Sequence, residues 1–166
     1  MAVKIITDST SDLSPEIAKE LGITIIPLYV HFGNETYRDG INLTTDAFYQ
    51  KLVQSATLPT TSAPSPGEFV EIFDKLAKET DQILTITVSS KLSATYESAL
   101  KAKELSQSKA RIEIINSLKI VSALGLIAIS AGKAAKAGAS IDEVINVVHS
   151  SMPRVDILVG LDTLEY

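Results

Sequence analysis

Short β-branched runs alternate with helix-forming segments along almost the whole chain, and that rhythm admits few folds: it is the pattern of βαβ units feeding a mostly parallel sheet. Val3–Thr7 reads as a first strand. Ser14 then caps a helix with Pro15 at its first position, where a missing N–H costs nothing, and Gly22 closes it in the left-handed conformation. Ile23–Phe32 is a second extended run, interrupted by Pro27, and Gly33-Asn34 turns the chain into a short strand at Glu35–Arg38. A helix is expected from about Thr45 to Val53. Ser65-Pro66-Gly67-Glu68 starts another, with a capping box and a stripe of Phe69, Ile72, Phe73 and Leu76. The remaining pattern predicts a strand at Gln82–Val88, a helix from Leu92 to about Ser106 and a strand at Ile112–Ile115. A long helix follows from about Leu118 to Lys136, ending near Gly138, then a helix capped by Ser140 and Glu143, and a last strand at Val155–Val159. The expected architecture is one α/β domain over residues 1–166, with about five strands in a mostly parallel sheet and helices on both faces.

Composition narrows the function. At 166 residues with 45% apolar and 21% charged, the chain can build a core and is not a disordered segment. Fifteen basic against 20 acidic residues give a net charge of −5, which argues against nucleic acid as a partner, since no cationic surplus exists to displace counterions. A small anion held by neutral hydroxyls and backbone N–H groups stays open. There is no cysteine, so disulfides, thiolate ligands and cysteine nucleophiles are excluded, and a reducing cytoplasm is the expected location. The N-terminal apolar run meets Asp8 at once, unlike a signal peptide. The longest apolar stretch, Ile120–Ala131, is shorter than the roughly 20 residues a bilayer span requires, so stable membrane insertion is not expected. Its apolar side chains surround the helix, with Gly125 and Ala128 among small residues between them. Such a helix wants cover on all sides, from the core, a second body or a ligand tail.

The familiar catalytic signatures are missing: no phosphate-binding Gly-rich loop, no nucleophile elbow, no HExxH. His31 reads as a strand-end surface residue and His149 as a helix C-terminal cation, without metal-ligand spacing between them. Asp39, Asp46, Asp162 and Glu165 read as loop or surface charges. Three hydroxyl-rich clusters follow strands or precede helices: Thr7–Asp12, Thr60–Ser65 and Ser89–Thr95. Ligands of open parallel sheets bind outside the carboxyl ends of the strands, where helix N-termini favour carboxylate or phosphate. The same residue types are also ordinary caps, which is the better account of Ser14 and Ser65. Ser93 differs, because Ser89 or Ser90 lies nearer the strand end and can do the capping, leaving its hydroxyl for the cleft.

At these residues the chain resembles the DegV family of bacterial fatty-acid-binding proteins. The resemblance rests on KIITDSTSDLS, LPTTSAPSPGEF, ITVSSKLSATYESA and RVDILVGLDTLEY, in that order from Lys4 to Tyr166. It implies an α/β fold of two domains, with a fatty-acid carboxylate near their interface and the tail in an apolar tunnel. It implies a binding protein without a catalytic centre or cofactor, which presents a long-chain fatty acid to a separate ATP-dependent fatty acid kinase for acyl-phosphate formation. Carried over, Thr61, Ser62 and Ser93 are the expected carboxylate ligands. Asp8, Ser9 and Thr95 form a second tier, and Gly125 and Ala128 are candidates to line the tail. The chain departs from the family pattern at Ala63, Ala94 and Asn116. It also stops at Leu164-Glu165-Tyr166, where the crossing into the second domain begins in members roughly twice as long. The second domain's histidine and arginine are then lacking, and a face left open by it invites self-association. The competing reading is a small-molecule α/β enzyme, kinase-like or hydrolase-like, using the Asp8 loop and Ser93.

Overall fold

The computed structural model describes residues 2–160, so Asp162 and Glu165 lie outside the described residues. Four parallel strands form the main sheet: β1 (Lys4–Asp8), β2 (Ile23–Ile26), β6 (Gln82–Thr87) and β7 (Arg111–Asn116), in the order β2-β1-β6-β7. Between β2 and β6 the chain builds a smaller antiparallel sheet of β3 (Tyr29–Phe32), β4 (Glu35–Arg38) and β5 (Thr60–Ser62), ordered β4-β3-β5.

Alternation along the parallel strands divides the core in two. Ile5, Ile23, Leu84, Ile86 and Ile115 face α1 (Pro15–Leu21), α5 (Val121–Lys136) and α6 (Ile141–Ser151). Ile6, Ile26, Ile83 and Ile112 face α3 (Pro66–Leu76) and α4 (Thr95–Leu105), whose Phe69, Phe73, Ala99 and Ala102 are buried against them. The expected α/β class and the helices on both faces are what the chain adopts. The small sheet carries its own minor core of Val30, Phe32 and Leu43, and α2 (Thr45–Gln54) lies over it without one buried residue of its own.

The expected caps are present. Ser14 accepts from the Ile17 N–H, Ser65 and Glu68 complete one capping box, and Ser140 and Glu143 another. Gly22 ends α1 at φ 65°. His149 sits in the last turn of α6.

Four elements differ from expectation. The run Ile23–Phe32 breaks at Pro27 into strands of two different sheets, because proline cannot donate to a ladder. Thr60–Ser62, expected only as a hydroxyl-rich cluster ahead of a helix, is an edge strand; its three residues are exposed, so no apolar alternation marks it. Helix α4 starts at Thr95, with Ser89–Ser93 folded as turns before it: the N–H groups of Leu92 and Ser93 both donate to the Ser89 carbonyl. Val155–Val159 forms no strand, since no partner ladder lies beside it.

Candidate functional site

Helix α3 ends before β6 begins and α4 starts after β6 ends, so both helices open at the carboxyl edge of the parallel sheet. They pack against one another on one face. Ser62 lies before α3 and Ser93 just before α4, so each hydroxyl precedes a helix that opens at this edge.

At the same edge, Asp8 is buried at the end of β1. Its Oδ1 accepts from the Thr10 N–H at 3.1 Å and the Thr10 hydroxyl at 2.6 Å, and its Oδ2 accepts from the Val88 N–H at 2.7 Å. Burial pushes the carboxyl up from the ordinary aspartate range, against the downward pull of these hydrogen bonds. Asp8 thereby clamps the 3-10 turn Ser9–Ser11 to the end of β6. Ser9 Oγ accepts from the Leu28 N–H at 3.1 Å, fixing the link between the two sheets. Two of the three second-tier candidates, Asp8 and Ser9, are thus engaged in holding the edge together. Asp12 follows in the left-handed conformation, its carboxyl raised by burial and by the charge of Asp39.

The turns after β6 are laced to the loop after β7. Ser89 N–H donates to the Lys119 carbonyl at 2.9 Å, and Ser90 N–H donates to Asn116 Oδ1 at 3.2 Å. Asn116 Nδ2 donates to Ser90 Oγ at 2.7 Å, a bond from which a carboxylate at this position would be barred as donor. Ser93 Oγ accepts from the Thr95 N–H at 3.3 Å and shares a hydrogen bond of 2.9 Å with the buried Thr95 hydroxyl. The Ser93 hydroxyl is consequently not free as expected: Ser89 and Ser90 serve the loops, and Ser93 orders the entrance to α4, whose cap position is Ala94. One lone-pair or proton position of Ser93 remains for a ligand. Beside these turns a cavity of about 310 Å³ is lined by Ser89, Leu92, Leu118, Ile120 and Ile157, among others. Leu92 and Leu118 are more than half exposed.

Thr61 and Ser62 are adjacent in β5, so the pleat sends their side chains to opposite faces. Thr61 stands opposite Val30, on the α2 side; Ser62 stands opposite Tyr29, on the side that reaches α3, where the Tyr29 hydroxyl donates to Glu68 Oε1 at 2.6 Å. His31 shares the Ser62 face. Its Nε2 lies 2.9 Å from Ser62 Oγ and its Nδ1 2.9 Å from Thr36 Oγ1. Nothing along the chain joins these three residues; only the pairing of β3 with both β4 and β5 does.

The tail-lining candidates sit elsewhere. A Cβ on Gly125 would lie 2.4 Å from the Ser11 carbonyl oxygen, so this glycine exists for the close passage of α5 under the 3-10 turn. Ala128 is fully buried in the core with Leu84, Ile86 and Leu124. Both positions are filled by packing, the core alternative for this helix. Among the described residues, no helix is long and apolar enough to cross a membrane, and no three His, Asp or Glu side chains gather as metal ligands would.

Comparison with known proteins places this geometry. A DegV domain-containing protein of Caldanaerobacter subterraneus subsp. tengcongensis is 35% identical over 164 residues, covering 99% of this chain and 58% of that protein. One of Deinococcus radiodurans is 33% identical over 167 residues, again covering 58% of its own length. The chain therefore spans just over half of the curated relatives it matches. Among solved structures, DegV of Bacillus subtilis, a fatty acid binding protein, superimposes with a TM-score of 0.85 at 32% identity, covering 92% of this chain and 54% of that one. A fatty-acid-binding DegV family protein of Thermus thermophilus gives 0.84 at 30% identity, with 92% and 54% covered. A stearic acid-binding protein of Eubacterium ventriosum gives 0.81 at 30% identity, with 89% and 52% covered. The family model described as uncharacterised protein, DegV family, matches residues 2–166, and with these relatives it establishes that the chain belongs to the DegV family.

Proposed function

We propose that this chain supplies the hydroxyl half of a fatty-acid site, with the carboxylate taken at the corner between β5 and the start of α4 by Ser62 and Ser93, the expected ligand Thr61 lying on the other face of β5. The observation that carries this reading is the convergence of two hydroxyl-bearing helix entrances, α3 and α4, at the carboxyl edge of the sheet. The fatty-acid-binding relatives at 30–32% identity support it.

Neutral hydroxyls suit an anionic head in an acidic protein, because they donate hydrogen bonds without demanding a buried cation. The tail contributes most of the affinity, at about 0.8 kcal/mol per buried methylene. With Gly125 and Ala128 closed by packing, the exposed Leu92–Leu118 rim of the cavity beside the Ser89–Ser93 turns is the apolar surface offered to a tail. In this reading catalysis belongs to a separate ATP-dependent kinase in the cytoplasm. A carboxylate oxygen attacks the γ-phosphorus, ADP leaves, and an acyl phosphate results.

Native mass spectrometry of freshly purified protein tests the ligand: a co-purified long acyl chain is expected. Ser93→Ala should lower the acyl content several-fold while the circular dichroism spectrum stays that of the folded chain. Equal acyl content in variant and wild type rejects the role given to Ser93. The enzyme reading draws nothing from Asp8, whose two oxygens are engaged by Thr10 and Val88.

A further inference from the structure

Three neighbouring strands of the small sheet each give one group to a continuous hydrogen-bonded chain: Thr36 from β4, His31 from β3 and Ser62 from β5. The two links, each 2.9 Å, leave the direction of donation open along the row. A serine hydroxyl carries a single proton. When the imidazole accepts it at Nε2, Ser62 shows only lone pairs to a visitor and repels an anion. When Nε2 bears hydrogen and donates, the Ser62 proton is released to point outward. The imidazolium always donates from Nε2, whereas the neutral ring has one proton that Nδ1 can hold instead, leaving Nε2 to accept from Ser62.

We infer that His31, held by Thr36, sets the polarity of the Ser62 hydroxyl and thereby couples capture of a carboxylate to retention of a ring proton. His31 is in this sense a positioning residue, acting through Ser62. The inference rests on the fatty-acid reading above and goes beyond it by adding a residue and a pH dependence.

The charges facing the row favour this role. On the same face, Arg38 of β4 lies 3.5 Å from Glu68 at the start of α3, and the Tyr29 phenol donates to that same carboxylate. Burial raises the Glu68 carboxyl, but the bonds from Tyr29 and Ser65 and the charge of Arg38 outweigh it and hold the group below the usual range. Arg38 and Glu68 therefore stand beside the row as a mutually compensating pair. Glu35 and Lys51 pair on the opposite face, toward α2. The group hydrogen-bonded to Ser62 whose donor and acceptor roles stay open is the ring of His31.

The test uses the intact chain and decanoate, which is ionised throughout the range examined. Isothermal titration at about pH 6, 7 and 8 should show wild-type affinity falling about three- to tenfold as pH rises, because binding that retains a proton tightens when protons are plentiful. His31→Phe should bind more weakly with a flat profile. His31→Gln, whose amide keeps an N–H donor for Ser62, should also be flat yet recover affinity relative to His31→Phe. Nitrogen-detected NMR of the ring should show Nε2 as the protonated nitrogen once decanoate is bound. A merely structural cross-strand contact moves stability and leaves the pH profile alone. Wild type and His31→Phe binding decanoate with the same pH profile, or ring signals unmoved at saturation, overturns the relay and leaves the fatty-acid reading standing. No decanoate binding at any pH, with no co-purified acyl chain, overturns both.

Discussion

Asp8 shows how a side chain of catalytic type is spent on architecture. Removing its carboxylate in Asp8→Ala leaves the buried Val88 N–H without its acceptor, at a cost of about 1–3 kcal/mol. Its titration adds a pH signature. The folded-state carboxyl is raised, burial being the largest cause, so the unfolded chain releases the proton first as pH climbs. The stability Asp8 contributes is full below the ordinary aspartate range and declines as pH rises toward the raised value. Urea unfolding at steps from about pH 4 to 7 should find the stability advantage of wild type over Asp8→Asn shrinking with rising pH. A difference that widens with pH contradicts this assignment of burial as the dominant cause. At this scale, residue type is a poor guide to employment. Ser14, Ser65 and Ser140 are readable as caps because the capping pattern is local in sequence. The partnership of His31 with Ser62 spans 31 positions and needs a strand pairing that no periodicity announces.

Helix α5 carries the clearest argument about elements. Its apolar circumference is satisfied by β1, β6, α1, α6 and the Ser9–Ser11 turn, and among its larger side chains Leu126 stays about half exposed. Gly125→Ala should lower stability by about 1–3 kcal/mol despite the better helix propensity of alanine, because the new Cβ meets a backbone carbonyl that cannot swing aside. Gly132→Ala should cost less, since the nearest atom is the flexible end of Ile23 at 2.9 Å. Thermal unfolding of both variants decides it; equal or higher melting temperatures for Gly125→Ala would mean that the turn yields. The strands of the parallel sheet are readable from the chain because burial on both faces makes them continuous β-branched runs. Strand β5 escapes that reading, being three exposed polar residues at a sheet edge. Val155–Val159 misleads for the converse reason: it has the composition of a strand and no partner.

At the scale of the whole molecule, two bodies of unequal strength meet. The parallel sheet is buried under helices on both faces, whereas the small sheet rests on Val30, Phe32 and Leu43. Amide protons of β3, β4 and β5 should therefore exchange earlier than those of β1 and β6 in native-state hydrogen exchange. Uniform protection across both sheets would contradict the division. The α/β class is legible in the sequence because it follows from repeated local patterns, and the second sheet is not, because it is built from hairpin and edge contacts.

The chain passes between the bodies twice, at Pro27–Leu28 and at Ala63–Ser65, with Ser9 and Glu68 as side-chain ties. Ser62 belongs to the weaker body, and Ser93 is laced to the stronger. A guest that grips both becomes a strut between them, so that occupancy registers as stiffness, and the loaded and empty forms differ in how they yield more than in how they look.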